Sequence, residues 1–382
     1  MKIDYSQRIF GLDLMRAIAI LFVVCSHALW VFPESNSSLF SLLRLAGVMG
    51  VEIFFVLSGF LIGNIILRIV TQDNFAPKDF LYFLIRRWFR TLPNYYLVLL
   101  INIMVVVWIG RTLPDSLPLY FGFLQNSFFG MDIFFTESWS LPIEEFAYIL
   151  GPILIYLFLL PKLSISRKHI FLLVTLLIIV FFIGSKFWYH LRHGATSLEY
   201  WNIHLKAVVL YRIDAIYYGV LAAYLSTYFQ HSWTKFKATF LFLSLFLFAL
   251  LHFFIGNFQW NTETTPLFLN VFYLPLCSVF IAFSLPVLSQ MKTTFSILLK
   301  PITFISIISY SMYLLHYSVI LQWLHYSIPM EENSLAYTLL FSVGYVFITI
   351  VLSYLLYRLF EKPLMDIRDT PCVRKIFKAP PL

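Results

Sequence analysis

The sequence predicts an all-α polytopic integral membrane protein of about ten transmembrane helices, with both termini on the cytoplasmic side. Three observations carry that expectation. Of 382 residues, 60% are hydrophobic and 12% charged, against about 25% charged in ordinary soluble domains, and the mean hydropathy is +0.82. The apolar residues gather in runs of the ~20 residues that cross a ~30 Å hydrocarbon core. The basic residues between those runs fall mostly on one side. A chain with so few polar residues cannot cover a water-soluble globule, which excludes a soluble enzyme, a secreted disulfide scaffold and a disordered protein. Cys25, Cys277 and Cys372 are too few and too scattered for a disulfide framework; the first two lie inside apolar runs and read as small core hydrophobes.

The runs lie at roughly 10–32, 47–68, 92–110, 138–160, 170–188, 206–229, 238–256, 266–290, 302–325 and 335–358. The first is too long for a cleavable signal peptide and lacks a small-residue cleavage site; it carries Asp13, Arg16 and His27. The second holds Glu52. Arg86, Arg87 and Arg90 stand in the loop entering the third. The apolar stretch 117–130 is too short to cross and reads as interfacial or re-entrant. Glu144 and Glu145 lie in the fourth run, Arg212 and Asp214 in the sixth, and Tyr313 and His316 in the ninth. Residues 1–363 read as one membrane domain and 364–382 as a short basic cytoplasmic tail, with no internal repeat or flexible linker.

With the N-terminus inside, 20 of the 27 lysines and arginines fall in cytoplasmic segments. Five (Arg44, Arg111, Lys186, Arg192 and Lys206) fall outside, so the opposite orientation would reverse a four-to-one bias. Trp30, Trp108, Trp139, Trp188 and Trp323 come at the outer ends of the runs, where an interfacial belt belongs. The net charge of +8 is therefore a matter of topology, and no nucleic-acid partner is expected. No metal-ligand pattern stands out.

Ionisable groups inside apolar runs are expensive and mark function. Arg16 and His27 are eleven residues apart, about 20° around a helix and roughly 16 Å along it. They share a face, Arg16 near the inner end and His27 in the outer third, with Asp13 close enough to partner Arg16. Taken at the helical rise, Glu52, Glu144, Glu145, Arg212, Asp214 and His316 all fall within about a turn and a half of the depth of His27. Unpaired in lipid each would cost several kcal/mol, which predicts a shared wet cavity. At the inner face, Arg16, Arg86, Arg87 and Arg90 form a second cluster suited to a phosphorylated ligand. A histidine above a phosphate-binding mouth suits a general base or a transient acyl carrier.

At these residues the sequence resembles the acyltransferase 3 family of bacterial membrane O-acyltransferases, from Gly11 to Pro363. Gly11-Leu-Asp-Leu-Met-Arg16 with His27 resembles the family's arginine-x10-histidine signature. GVEIFFVLSGFLI from Gly50 to Ile62 resembles its second-span block, with Glu52 where aspartate is usual. Arg87-Trp-Phe-Arg90 with Pro93 resembles the RxxR motif, and Trp139-Ser-Leu-Pro-Ile-Glu144 the WSLxxE block, with Pro142 a mild departure. Tyr211-Arg-Ile-Asp214 with Gly219, Ser309-Tyr-Ser-Met-Tyr-Leu-Leu-His316 and Glu361-Lys-Pro363 resemble later blocks.

The resemblance implies transfer of an acyl group, usually acetyl, from cytosolic acyl-CoA as co-substrate to a sugar hydroxyl, with no bound cofactor. The acceptor would be a carbohydrate or lipid-linked glycan such as lipopolysaccharide O-antigen, and the site the bacterial inner membrane. His27 would then be the catalytic histidine, and Arg16, Arg87 and Arg90, with Asp13, would serve acyl-CoA. Glu144 would be an essential carboxylate near the acceptor, with Glu52, Glu145, Arg212, Asp214, Tyr313 and His316 expected at the substrate. Some relatives add a soluble esterase-like domain at the C-terminus, for which this chain leaves no length. The rivals are a glycolipid transporter or flippase, which needs no arginine pair below an aligned histidine, and a membrane sensor or assembly partner.

Overall fold

Ten helical segments take up the ten apolar runs in the computed structural model, which describes residues 8–28, 38–161, 164–328, 335–368 and 370. They are α1 (Phe10–Ala28), α2 (Ser38–Thr71), α3 (Pro77–Trp108), α4 (Ser140–Leu159), α5 (Arg167–His193), α6 (Asp214–Tyr228), α7 (Lys237–Asn257), α8 (Tyr273–Ala282), α9 (Ser296–Leu315) and α10 (Leu335–Leu356). No strand occurs among the described residues. Nine helices among them, with short helical continuations, are long and apolar enough to cross a membrane. Trp30, Lys2, Lys162, Cys372 and most of the basic tail expected at 364–382 lie outside the described residues.

The exception to the simple span is the sixth. Instead of one helix over 206–229, the chain makes a π turn at Asn202–Lys206, a 3-10 turn at Val209–Tyr211, and then the 15-residue α6. Non-helical backbone at membrane depth needs protein partners for its polar groups. Residues 126 and 127 supply them: the Val209 and Leu210 amides donate to the carbonyls of Asn126 (3.0 Å) and Ser127 (3.2 Å). The fully buried Asn126 side chain donates to the carbonyls of Trp139 (2.7 Å) and Ala207 (2.5 Å). The stretch 117–130, expected to be interfacial or re-entrant, thus forms the short helix Leu117–Phe121 and a buried turn that braces the break.

Two other expectations are corrected. Arg86, Arg87 and Arg90 are on a helix, not in a loop, because α3 runs unbroken for 32 residues through Pro93. Arginine is a good helix former, and an interior proline removes one backbone hydrogen bond without ending a packed helix. Lys186 is not in an outer loop; it sits inside α5, fully buried.

Close helix contacts explain two of the sequence blocks. A Cβ on Gly59 of α2 would meet the Ile216 carbonyl oxygen at 1.8 Å, and one on Gly219 of α6 would meet the Val56 carbonyl oxygen at 2.0 Å. Only glycine permits this backbone-to-backbone approach, the small-residue mode of packing in membranes. At the start of α1 a Cβ on Gly11 would meet the Leu288 carbonyl oxygen at 2.1 Å, and the Gly11 amide donates to the Met291 carbonyl at 2.9 Å. That contact fixes where α1 begins. Around α1, Val24, Phe55, Tyr95, Leu99, Met312 and Leu314 fill the core.

Candidate active site

Between α1, α2, α3, α4 and α9 lies a cavity of about 750 Å³. Its lining runs along α2 from Val51 to Arg68, about 25 Å at the helical rise. One end carries Arg16, Arg68, Arg86, Arg87, Arg90 and Arg368. The other is closed by Phe54, Phe55, Ser140, Leu141 and Tyr313. The arginines come from separate helices, and α3 presents three because positions three and four apart share a helical face.

Carboxylates hold part of this cationic end in place. Arg87 donates to Glu144 at 2.7 Å and to the Tyr148 hydroxyl at 3.0 Å, while the Ser58 hydroxyl donates to the same carboxylate at 2.9 Å. The Tyr148 ring lies 4.6 Å beneath the Arg87 guanidinium. Glu145 points elsewhere and accepts from Trp88 Nε1 (3.0 Å) and the Thr91 hydroxyl (3.3 Å). Asp13 accepts from Arg8 Nε (2.7 Å) and the Ser306 hydroxyl (2.7 Å), and lies 3.6 Å from Arg16. Arg16 also donates to the Ser306 hydroxyl at 3.2 Å. Arg90 makes no hydrogen bond or ion pair among the described residues; the buried Glu361 carboxylate is its nearest electrostatic counterweight.

At the closed end the Tyr313 hydroxyl is 2.7 Å from the Ser140 hydroxyl, and its ring lies 5.7 Å from that of His316. Beyond stand His316 and His27, with His316 Nε2 3.0 Å from His27 Nδ1. Arg16 and His27 both face α9, Arg16 through Ser306 and His27 through His316, as their shared face required. The Tyr317 ring packs 4.8 Å from His27 and 6.4 Å from His316.

The expected single wet cavity at the depth of His27 is not what the structure holds. Its members close into separate buried pairs. Arg212 donates to Glu52, which also accepts from the Ser278 hydroxyl at 3.0 Å. Lys186 donates to Asp214. All four charged residues are at most 1% exposed, and none lines the arginine cavity. Glu144 lines that cavity, one helical turn from the Ser140 that meets Tyr313. Pairing offsets part of the cost that the cavity was invoked to relieve, while Arg212 Nε and Nη1 and Asp214 Oδ1 have no hydrogen-bond partner among the described residues. Trp139 likewise packs inward, edge-on to Phe55 at 6.0 Å, with the Lys206 ammonium 5.2 Å from its ring.

Sequence reasoning missed Glu137 and Lys206. The Glu137 carboxylate is buried and accepts from both the amide (3.0 Å) and the hydroxyl of Ser318, two residues past His316. It escaped because the fourth run was drawn from 138; one more turn would have flagged an acid in an apolar segment. Lys206 was counted only as a topology marker. No group of His, Cys, Asp and Glu suited to a metal occurs among the described residues.

The fold and this site define a helical membrane protein in which a cationic cavity ends at Tyr313, whose ring adjoins a histidine pair. The family model described as Acyltransferase domain matches residues 9–358, and the chain belongs to that family, the acyltransferase 3 family. It is 33% identical over 197 residues to a Bacillus subtilis protein provisionally named peptidoglycan O-acetyltransferase YrhL, covering 47% of this chain and 28% of that one. It is 28% identical over 172 residues to the peptidoglycan O-acetyltransferase OatA of Listeria monocytogenes, covering 41% and 25%. A Staphylococcus aureus protein provisionally named O-acetyltransferase is 25% identical over 382 residues, covering 92% and 56%. The chain thus spans about a quarter to just over half of these relatives. No solved structure matches.

Proposed function

We propose that the protein is a membrane O-acyltransferase that moves an acetyl group from cytosolic acetyl-CoA to a hydroxyl of a cell-envelope glycan in the bacterial cytoplasmic membrane. The observation that carries this reading is the cavity itself: six arginines line it, and Tyr313, whose ring adjoins His316, closes it. The positive-inside bias turns the arginine end to the cytosol. Guanidinium forks match the phosphates of a coenzyme A. Relatives named for peptidoglycan favour that glycan as acceptor over lipopolysaccharide O-antigen.

In this reading Arg16 and Arg90 hold phosphate oxygens, while Arg87, held by Glu144 and Tyr148, shapes the wall beside them. The Tyr313–Ser140 contact opens to admit the thioester. His27 Nε2 takes the proton of the sugar hydroxyl as its oxygen attacks the carbonyl carbon. The new C–O bond forms, the C–S bond breaks, and the departing thiolate takes the proton back from His27. The test is acetyl-CoA binding by the purified protein: binding that falls with Arg90→Ala supports the reading, and glycolipid transport with no acetyl-CoA binding overturns it.

A further inference from the structure

His316 is fully buried where α9 passes into the π turn His316–Leu321. Its Nδ1 lies 2.7 Å from the Tyr313 carbonyl oxygen, and its Nε2 lies 3.0 Å from His27 Nδ1. The same His27 nitrogen is 3.0 Å from the Val23 carbonyl oxygen. A carbonyl only accepts, so Tyr313 places the His316 proton on Nδ1, and Val23 places the His27 proton on Nδ1. A neutral imidazole carries one N–H. His316 therefore presents a bare Nε2 to the N–H of His27, which it shares with Val23, and His27 keeps its own Nε2 as a lone pair.

We propose that His316 is the positioning residue of the reaction, accepting from His27 Nδ1–H so that His27 Nε2 is held unprotonated and aimed at the substrate hydroxyl. The inference rests on the acyltransferase reading above. It reassigns His316 from substrate contact to orientation of the base, the part a carboxylate plays in hydrolase triads. When His27 Nε2 takes the hydroxyl proton, the Nδ1–H of the resulting imidazolium donates more strongly to His316. When that proton passes to the thiolate, His27 is neutral again, and His316 has neither gained nor lost one.

Two further features hold the pair. The His27 ring packs against those of His316 and Tyr317, each 4.8 Å away and tilted by 53° and 51°, and the latter two rings are 6.4 Å apart. Glu137, accepting from the Ser318 amide and hydroxyl, satisfies backbone that the π turn leaves without a regular partner. Such turns recur where a helix must aim a functional side chain. The Lys206 charge acts on His27, Glu137 and Glu144 act on the adjoining Tyr313, and none of the three hydrogen-bonds to either ring.

The test compares the native protein with His316→Ala, His316→Gln and His316→Phe, following CoA release from acetyl-CoA with soluble peptidoglycan strands as acceptor. His316→Ala lowers kcat on the order of 10- to 100-fold with KM for acetyl-CoA unchanged, the scale of losing an orienting partner. The loss stays below that of a whole orienting carboxylate because Val23 still accepts from Nδ1–H. His316→Gln, whose amide oxygen can accept that N–H, regains most of kcat, whereas His316→Phe, which fills the space without accepting, does not. Acetyl-CoA binding by each variant confirms folding. Native kcat in His316→Ala, or equal recovery by Phe and Gln, overturns the positioning role alone. Absence of CoA release by the native protein overturns the acyltransferase reading, and the positioning role with it.

Discussion

Arg87 and Glu144 meet at 2.7 Å on the wall of the arginine cavity, each partly shielded, with side chains 20% and 15% exposed. The pair ties α3 to α4 and gives Glu144 a structural role on the cavity wall. Loss of one partner leaves the other charge half-buried and uncompensated. Glu144→Ala and Arg87→Ala each destabilise the protein by about 1–3 kcal/mol, and the double variant falls short of their sum by about 0.5–3 kcal/mol. Thermal melting in detergent reads this cycle. Strict additivity would show that the two groups are not coupled.

Arg90 gives a cleaner test of the donor site because it makes no hydrogen bond or ion pair among the described residues and helps line the cavity. Its replacement by alanine leaves the melting temperature within a degree or two. A charged hydrogen bond is worth about 1.5–3 kcal/mol, so acetyl-CoA binding weakens by about 10- to 150-fold. Raising salt narrows that difference. Titration calorimetry at two salt concentrations checks both statements.

The Glu52–Arg212 pair is closed to solvent and holds α2 against the broken sixth segment. Arg212→Met alone strands a buried carboxylate and costs about 3–5 kcal/mol, whereas the double change Glu52→Leu with Arg212→Met recovers most of that loss. Retained acetyl transfer in the folded double variant is the expected result. Abolished transfer in a well-folded double variant would return these two residues to the substrate.

Tyr313 blocks the far end of the cavity and touches His316. Tyr313→Ala lengthens the space available to the acyl group. One methylene in an apolar pocket is worth about 1–3 kcal/mol, so the ratio of kcat/KM for propionyl-CoA over acetyl-CoA rises at least about tenfold. An unchanged ratio shows that the acyl group does not pass this side chain.

What the sequence could and could not disclose follows from the physics of each group. Helix period and rise are fixed numbers, so the common face of Arg16 and His27 was readable, and both do face α9. Apolar runs are equally regular, and among the described residues nine of the ten expected spans are helices long and apolar enough to cross, the run at 206–229 being the exception. Partners from distant parts of the chain were not readable. Lys186 lies 28 residues from Asp214, and Glu52 lies 160 from Arg212; depth alone made Glu52, Arg212 and Asp214 look like members of one cavity, and Lys186 looked like an outer-loop charge. Charges also mislead at boundaries: Arg86, Arg87 and Arg90 resembled a loop because they lower hydropathy, although none of them ends a helix that a neighbouring cavity hydrates. Glu137 was hidden by a boundary drawn two residues late.

The central claim is that His27 is the base that moves the acetyl group, and its most direct measurement is acetyl transfer by His27→Ala in proteoliposomes. Labelled acetyl-CoA is supplied to the arginine side and peptidoglycan strands to the other. The native protein labels the glycan. His27→Ala, folded and still binding acetyl-CoA at the arginine cavity, lowers the rate by at least about 10³-fold, the scale of losing a nucleophile-activating base. Transfer at the native rate by that variant would contradict the account.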